Sequence, residues 1–564
     1  MCKVNGGKTE AASNLTRRSF LKTAAATTVA VSGISCTQSD FLADNHKNPS
    51  KPNIVYVVMD DHSPFPFEEE RIGQSRPFGF CGDRYVHTPE IDKLAKNGMI
   101  FSNSYVTSTV CSPSRYSTLT GRYPSKSRGP YFMRLHPEGT VTRPENNTEL
   151  EEDRPNLPRL MQRAGYRTGF VGKSHVIDHH LFQRDNWEEN GLMTYEMSDD
   201  PRDPEVAKAM AHNHNYWVNR VKEFGFDFAD AVYAANKREL WNDALNIHNV
   251  EWKTKPALEF IEQSADEPFF LYFSETLPHG PAPWIKRDGE YVHGLDSDPK
   301  MTSAGHVDQE YDFMPERDKI KAEIEEKEKD LDHAWLRWID HAIGAIVRKL
   351  KETDQFENTL IVVTSDHGNY YHQKSTLYEG GVKTPLLMHW PAGIESRSVY
   401  DGLVQNIDFA PTFLELAGLN IDESMEIDGV SVVNILRGDK NPVHDHLFFE
   451  IGYARGVITK DWKYIAVRYD DHINEQIERG HKFDGWEGRK LDVPYYTRNQ
   501  HLGYHATIYN ENYFDVDQLY DLKNDPGEKN NVYDSNPQKA EEMKAILAGY
   551  LRSFPGRPFG EFTV

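Results

Sequence analysis

The residues of this chain best suited to chemistry fall just after apolar runs. Asp60-Asp61 closes the run 53–59, and Asp366-His367 follows the run 359–364. Three carboxylates and an imidazole delivered from two strand ends can converge on one divalent ion. So oxygen-rich a donor set favours a hard cation such as Ca2+ or Mg2+ over Zn2+. Cys111 opens the string Cys111-Ser112-Pro113-Ser114-Arg115, which leads into Leu119-Thr120-Gly121-Arg122. Pro113 suits the first turn of a helix. Residue 111 then sits at or before a helix N-terminus, where free N–H groups and the helix dipole favour an anion. Arg115 lies one turn along and can neutralise anionic oxygens. Lys173 and His175 follow Thr168-Gly169-Phe170-Val171-Gly172, His279 follows Pro278, and Lys374 begins Lys374-Ser375-Thr376-Leu377-Tyr378-Glu379-Gly380-Gly381. Taken singly, each has a plain structural reading: a helix cap, a solvated lysine, a loop histidine, a small buried thiol. Their joint occurrence at strand ends carries more weight than any one of them.

The string around Cys111 resembles the signature of the formylglycine-dependent (type I) sulfatases of the alkaline-phosphatase superfamily. The resemblance covers most of residues 53 to 420, including Thr88-Pro89-Glu90-Ile91-Asp92 to Gly98. It extends more loosely to Leu519-Tyr520-Asp521-Leu522 and Asn524-Asp525-Pro526. It implies that Asp60, Asp61, Asp366 and His367 bind one metal ion, usually Ca2+ in that family, with residue 111 as a further ligand. It also implies that a separate enzyme, formylglycine-generating or anaerobic sulfatase-maturating, oxidises Cys111 to formylglycine (3-oxoalanine). The aldehyde hydrates; one hydroxyl is the nucleophile and the other later helps expel sulfate. Lys173 and His175 match the family's G-K-x-H motif, His279 its P-H-x-P motif and Lys374 its K-x-x-x-Y-E-G-G motif, all in the family's order. The implied roles follow from charge. The metal, Lys173 and Lys374 clamp the sulfate, and Arg115 neutralises the hydrate or the sulfate. His279 is the acid at the leaving oxygen with Lys374 assisting, and His175 is the base on the hydrate hydroxyl. The chain departs from the family in a longer stretch from His62 to Phe80, rich in Pro, Phe and Glu. It also has His367 where many relatives carry Asn, and Lys383 in place of a common Arg.

The elements that must position these residues alternate. Strands are expected at 53–59, 168–172, 268–273 and 359–364, all continuous apolar runs of the kind buried in parallel sheets. Helices are expected at 89–97, 156–164, 255–263 and, as one long stretch, 319–351. Such alternation predicts an α/β fold: an alkaline-phosphatase-like domain, its mostly parallel central sheet flanked by helices, with chemistry at the carboxyl ends of the strands. Near 437–442 the pattern changes to short strands, such as 447–450 and 464–467, long polar loops and a last helix at 537–551. This predicts a smaller C-terminal α+β domain. The expected organisation is a signal segment 1–36, a linker 37–52, a catalytic domain 53–440 and a C-terminal domain 441–564.

Composition narrows the function classes. The 564 residues carry a net charge of -23, with 38% hydrophobic and 12% aromatic residues. An acidic surface argues against nucleic acid as a partner, and an anionic substrate then needs a local cluster of cations. Thr16-Arg17-Arg18-Ser19-Phe20-Leu21-Lys22, followed by a short apolar run from Ala24 to Ser35, reads as a signal for the twin-arginine export machinery. The expected location is the periplasm, with lipidation of Cys36 at the outer membrane or cell surface as the alternative; no transmembrane span is expected. Only four cysteines occur, Cys2, Cys36, Cys81 and Cys111, too few for a disulfide scaffold. A Cys81–Cys111 bridge is disfavoured because it would consume the candidate nucleophile. A sulfated carbohydrate is the expected substrate. Tyr216, Trp217, Trp241, His212, His214 and Trp284 are possible parts of a sugar platform and, equally, of the core. Two rivals stand: a phosphate or phosphonate monoester hydrolase of the same superfamily, and a non-catalytic carbohydrate-binding protein.

Overall fold

The computed structural model describes residues 51–64, 87–287, 290–327, 331–479, 506 and 508–563. The signal segment, Cys36, Cys81 and residues 65–80 of the unusual rim lie outside the described residues. Among the described residues no helix is long and apolar enough to cross a membrane.

The catalytic part contains, in chain order, β1 (Asn53–Asp60), α1 (Pro89–Lys96), β2 (Met99–Phe101), α2 (Cys111–Thr120), α3 (Leu157–Arg163), β3 (Arg167–Lys173) and α4 (Pro204–Glu223). It continues with β4 (Phe228–Tyr233), α5 (Val250–Gln263), β5 (Phe269–Pro278), α6 (Ala334–Glu352), β6 (Thr359–Ser365), β7 (Leu386–His389), β8 (Ser398–Tyr400) and α7 (Phe409–Leu416). Eight strands form one sheet in the order β8-β2-β7-β6-β1-β5-β3-β4. Only β7 runs against its neighbours. β1 is buried along its whole length, between β6 and β5, both parallel to it. Its even residues Ile54, Tyr56 and Val58 face one core with Phe409 and Phe413 of α7. Its odd residues Val55, Val57 and Met59 face the other with Trp338, Ile339 and Ile346 of α6. Both faces are covered, which is why the strand reads as an unbroken apolar run rather than an alternating one. The parallel strands β6, β1, β5 and β3 thus release their carboxyl ends along one edge.

Three elements differ from the expected boundaries for identifiable reasons. α5 starts at Val250 rather than 255 because the Asn249 side chain caps it by accepting from the Trp252 N–H. β5 runs five residues beyond its apolar stretch, through Ser274, Glu275 and Thr276. Lys253 of α5 reaches across to the Glu275 carboxylate and the Thr276 hydroxyl, so polar residues stay in a buried strand. The stretch 319–351 is not one helix but two, Arg317–Lys327 and α6. Among the described residues the charged first part buries Arg317, Ile320 and Ile324, whereas α6 carries the full apolar stripe that packs on the sheet. Sequence reading also missed β4 and α4. Gly172 in β3 has φ +103, and a Cβ there would come within 1.8 Å of the Ser274 carbonyl. The strand slips register at that point, a bulge that only glycine allows and that sets the direction of Lys173.

At the start of α1, the buried Asp340 carboxylate accepts from the N–H groups of Glu90 (3.0 Å) and Ile91 (2.8 Å). Burial pushes its pKa up to about 7, against the pull of those N–H groups and Arg337. A folded-state pKa above the unfolded one means the group supports the fold while protonated. That contribution is lost as pH rises from the ordinary carboxylate range through about 7. Asp340→Asn keeps an acceptor and removes the charge. Thermal melts should therefore show the variant gaining on wild type by about 2 °C between about pH 5 and about pH 8. A pH-independent difference would contradict this assignment.

The C-terminal part adds an antiparallel sheet of β9 (Leu447–Ile451), β10 (Ala454–Ile458), β11 (Trp462–Val467) and β12 (Asp517–Asp521), and then α8 (Pro537–Leu551). One face packs Phe448, Tyr464 and Leu519 on Met543 and Leu547 of α8. The other packs Phe449, Ile451 and Ile465 on Val110, Leu377, Tyr378 and Val382. The second sheet therefore buttresses the residue before Cys111 and the loop after Lys374.

Candidate active site

α2 begins at Cys111 with the extended residue Val110 as its N-cap, which no side chain caps. Cys111 is a free, fully buried thiol. Around it the strand ends deliver one cluster. Cys111 Sγ lies 3.5 Å from Asp60 Oδ1, 3.6 Å from His367 Nε2 and 3.3 Å from Lys173 Nζ. Ligand atoms of Asp60, Cys111, Asp366 and His367 all lie within 4.8 Å of one another, as do those of Asp61, Cys111 and His279. Lys173 Nζ donates to Asp60 Oδ2 at 2.6 Å, and Lys374 Nζ donates to both oxygens of Asp61 at 2.7 and 2.8 Å. His367 Nδ1 faces the Gly368 carbonyl at 3.0 Å and so carries a proton. Its Nε2 lies 3.0 Å from Asp61 Oδ1, so a proton or a metal ion must lie between them. Against burial, Asp366 and Asp61 hold the imidazole well above its ordinary pKa, and a bound cation would take the place of that proton. Asp60, Asp366, His367 and the side chain at 111 thus form one candidate group for a hard cation, with Asp61 beside it at 3.0 Å from His367 Nε2.

Electrostatics follow from this crowding. Burial would raise the pKa of Asp60, but Lys173, His279 and Arg115 hold its carboxyl well below the usual range. For Asp61, Lys374, His279 and His367 do the same against burial. His175 is buried in a left-handed turn (φ 57) just after β3, with its N–H bonded to the Ala234 carbonyl. Burial, then Lys173 and His179, hold its imidazole far below the ordinary range, and its buried Nδ1 has no hydrogen-bond partner among the described residues. His279 is pushed down to about 3 by burial and then by Lys374 and Lys173, with Asp61 opposing.

One residue sits differently from the sequence expectation. Arg115 was expected to address the oxygens at residue 111 or the sulfate. Its Nε and one terminal nitrogen pair with Asp366 Oδ2, both at 2.9 Å, while the other terminal nitrogen donates to the Lys173 carbonyl (3.1 Å) and Ser274 Oγ. It fixes a carboxylate and ties α2 to the ends of β6, β3 and β5. Three contributors were not anticipated. Asn236 accepts from Lys173 Nζ at 2.7 Å. Ser114 Oγ donates to the Asp366 carbonyl, and Asn406 holds the Ser114 carbonyl at 2.9 Å. Asn236 lies three residues past β4, so the rule that located the other strand-end residues would have found it had that short strand been recognised.

A parallel α/β sheet that gathers metal-type carboxylates, two lysines and two histidines around a helix N-terminus defines a hydrolase for esters of a tetrahedral oxyanion. The Sulfatase family model matches residues 52–194 and 205–419, and an N-sulphoglucosamine sulphohydrolase C-terminal model matches residues 365–482. The chain belongs to the sulfatase family and is a sulfuric ester hydrolase. It is 25% identical to an ulvan-active sulfatase of Formosa agariphila, over 92% of this chain and 84% of that protein. It is 22% identical to an N-acetylglucosamine-6-O-sulfatase of Bacteroides thetaiotaomicron, over 89% of this chain and 86% of that protein. Among solved structures, the PsFucS1 sulfatase from Pseudoalteromonas shares the fold with a TM-score of 0.52 at 18% identity, covering 91% of this chain and 92% of that one.

Proposed function

We propose that this enzyme desulfates sulfated oligo- or polysaccharides outside the cytoplasm, using residue 111 as the nucleophile after conversion of Cys111 to formylglycine. The observation that carries the reading is the ring of Asp60, Lys173 and His367 around Cys111 Sγ at the start of α2. That sulfur stands where the hydroxyl oxygens of a hydrated aldehyde would sit. The carbohydrate substrate is supported by the ulvan-active and N-acetylglucosamine-6-O relatives. A maturating enzyme for Cys111 and the twin-arginine export machinery are the partners this reading requires, and the periplasm its location.

Ca2+ held by Asp60, Asp61, Asp366 and His367, with an oxygen at residue 111, would polarise a sulfate oxygen and lower the pKa of the attacking hydroxyl. Lys173 and Lys374 neutralise the remaining sulfate oxygens as charge builds. Arg115 holds Asp366 in its ligand orientation. His279 protonates the departing sugar oxygen, with Lys374 assisting. Burial first, and then the two lysines, keep its imidazole neutral in the free enzyme, and the negative charge of the bound ester offsets the lysines' share. His175, with Nδ1 open, takes a proton from the second hydroxyl when sulfate leaves.

The decisive experiment is a panel of sulfated oligosaccharides, run beside paired aryl sulfate and aryl phosphate esters. Sulfate release from at least one glycan is expected. Faster turnover of the phosphate ester, or turnover of aryl sulfate with no glycan desulfated, would overturn the reading. His279→Ala separates the acid role from binding. A sugar alkoxide needs protonation and a nitrophenolate does not, so kcat on a sugar sulfate should fall about 100-fold or more, and on nitrophenyl sulfate less than about tenfold. Equal losses on both would remove His279 from that role.

A further inference from the structure

Of the large hydrophobic side chains exposed among the described residues, two are aromatic, Trp284 at 43% and Tyr291 at 70%. Both lie on one two-stranded ribbon, Trp284–Arg287 paired with Glu290–His293, and Trp284 opposes His293 while Lys286 opposes Tyr291. Alternate residues share a face of a strand, so Trp284, Lys286 and Tyr291 stand together. Ile285, on the opposite face, is 6% exposed. The other aromatic candidates of the sequence are turned inward except His212, which is exposed with its Nε2 2.7 Å from the Gly191 carbonyl. Trp217 and His214 are buried, and Tyr216 and Trp241 are half-buried.

Trp284 is held rigidly. Its Nε1 donates to Asp332 Oδ1 at 2.7 Å, and its ring meets that of His293 edge-on at 5.1 Å and 88°. His293 Nε2 donates to the Leu331 carbonyl at 3.0 Å, while its Nδ1 accepts from Leu295 N–H. The indole edge is fixed while much of the side chain stays open to solvent. The ribbon is also tied to the catalytic edge twice. Trp284 follows His279 by five residues, a reach of at most about 18 Å. The 331–335 segment that anchors the ribbon also places Trp335 against the ring of His62 (5.0 Å, 73°), next to Asp61. An open aromatic pair with an ammonium directly across from one ring suits the apolar face of a pyranose bearing an anionic substituent.

We infer that the Trp284–Lys286–Tyr291 face is a subsite for a further sugar of an anionic oligosaccharide, beyond the sugar whose sulfate is cleaved. The inference rests on the reading of the site as a carbohydrate sulfatase. It gives a chain of net charge -23 a local place where a polyanion is gripped on the side of His279. Trp284 and Tyr291 stack on the ring, and Lys286 pairs with its sulfate or carboxylate.

The test uses wild type, Trp284→Ala/Tyr291→Ala and Lys286→Ala with tetrasaccharides of ulvan, chondroitin sulfate and heparin and their sulfated monosaccharides. For a glycan that releases sulfate, the ratio of kcat/KM on tetrasaccharide to that on monosaccharide should fall at least about tenfold in the double variant. For Lys286→Ala it should fall less, and by an amount that shrinks as salt is raised. A ratio within about twofold of wild type, or equal losses on both lengths, overturns the subsite. Calorimetric titration of the same proteins with the same tetrasaccharides distinguishes the two readings. Binding by wild type that the double variant loses supports the subsite even if no sulfate is released, and that failure would then fall on the proposed function. Equal binding by both proteins, or none by wild type, overturns the subsite itself.

Discussion

Cys111→Ala is expected to abolish sulfate release, with a loss of at least about 10^4-fold, the scale seen when a nucleophile is removed, while the protein still folds. The loss is large because no neighbour can substitute. Among the described residues the groups hydrogen-bonded or nearest to Sγ are Asp60, Lys173 and His367, proposed as metal ligands and anion clamp, and no second hydroxyl or thiol among them is hydrogen-bonded in that ring. The fold survives because the strong contacts of the cluster do not run through the sulfur. Asp60 keeps Lys173, Asp366 keeps Arg115, and Asp61 keeps Lys374. Removing one buried sulfur leaves a small cavity, worth about 1–2 kcal/mol. Sulfate release, a thermal melt and the mass of the peptide containing residue 111 together check the result. Wild-type protein from its own host should carry the aldehyde mass at that position. Turnover retained by Cys111→Ala would remove the centre of the mechanism.

Lys173→Ala should cost about 10^2–10^3-fold in kcat, the usual loss for one donor aimed at developing oxyanion charge. Lys173 Nζ touches Asp60, Cys111 and Asn236 at once, so the variant loses both a sulfate clamp and a buried ion pair. The metal readout separates these roles. Removing a cation from beside Asp60 relieves repulsion on a divalent ion, so Ca2+ affinity measured by calorimetry should hold or rise while kcat collapses. A parallel loss of Ca2+ binding would mean that the lysine supports the metal site instead. Asn236→Ala should show the same pattern at about tenfold or less, because it orients the amine without meeting the sulfate.

The site's wiring explains why these effects are large. The loop that follows Lys374 packs against the C-terminal sheet. There Lys463 pairs with Glu379 at 2.6 Å and with Glu528 at 2.8 Å, and Glu528 accepts the Glu379 N–H at 2.7 Å. The second sheet thus holds the start of the 379–382 turn. Positions that look interchangeable in the loop are fixed by contacts nearly 150 residues away in the chain.

The sequence by itself determined the addresses of the candidate residues. Apolar runs, Pro at helix starts and Gly at bends are local signals, and they placed Asp60-Asp61, Lys173 and Asp366-His367 at strand ends and Cys111 at a helix start. These are properties of a few consecutive residues, and no partner has to be known to read them. Only the tertiary structure decided what meets what. β1 lies between β5 and β6, so Asp61 comes within hydrogen-bonding distance of His367 and Asp366 across 305 residues of chain. Lys253 keeps Glu275 inside a strand that its own residues would not have extended, and Arg115 turns to Asp366 rather than to the residue at 111. The aromatic candidates divide the same way: Trp217 is enclosed by its helix packing, whereas Trp284 is left open on a ribbon. Burial and pairing depend on which surfaces the folded chain brings together, and that information is spread over the whole sequence rather than written at either residue.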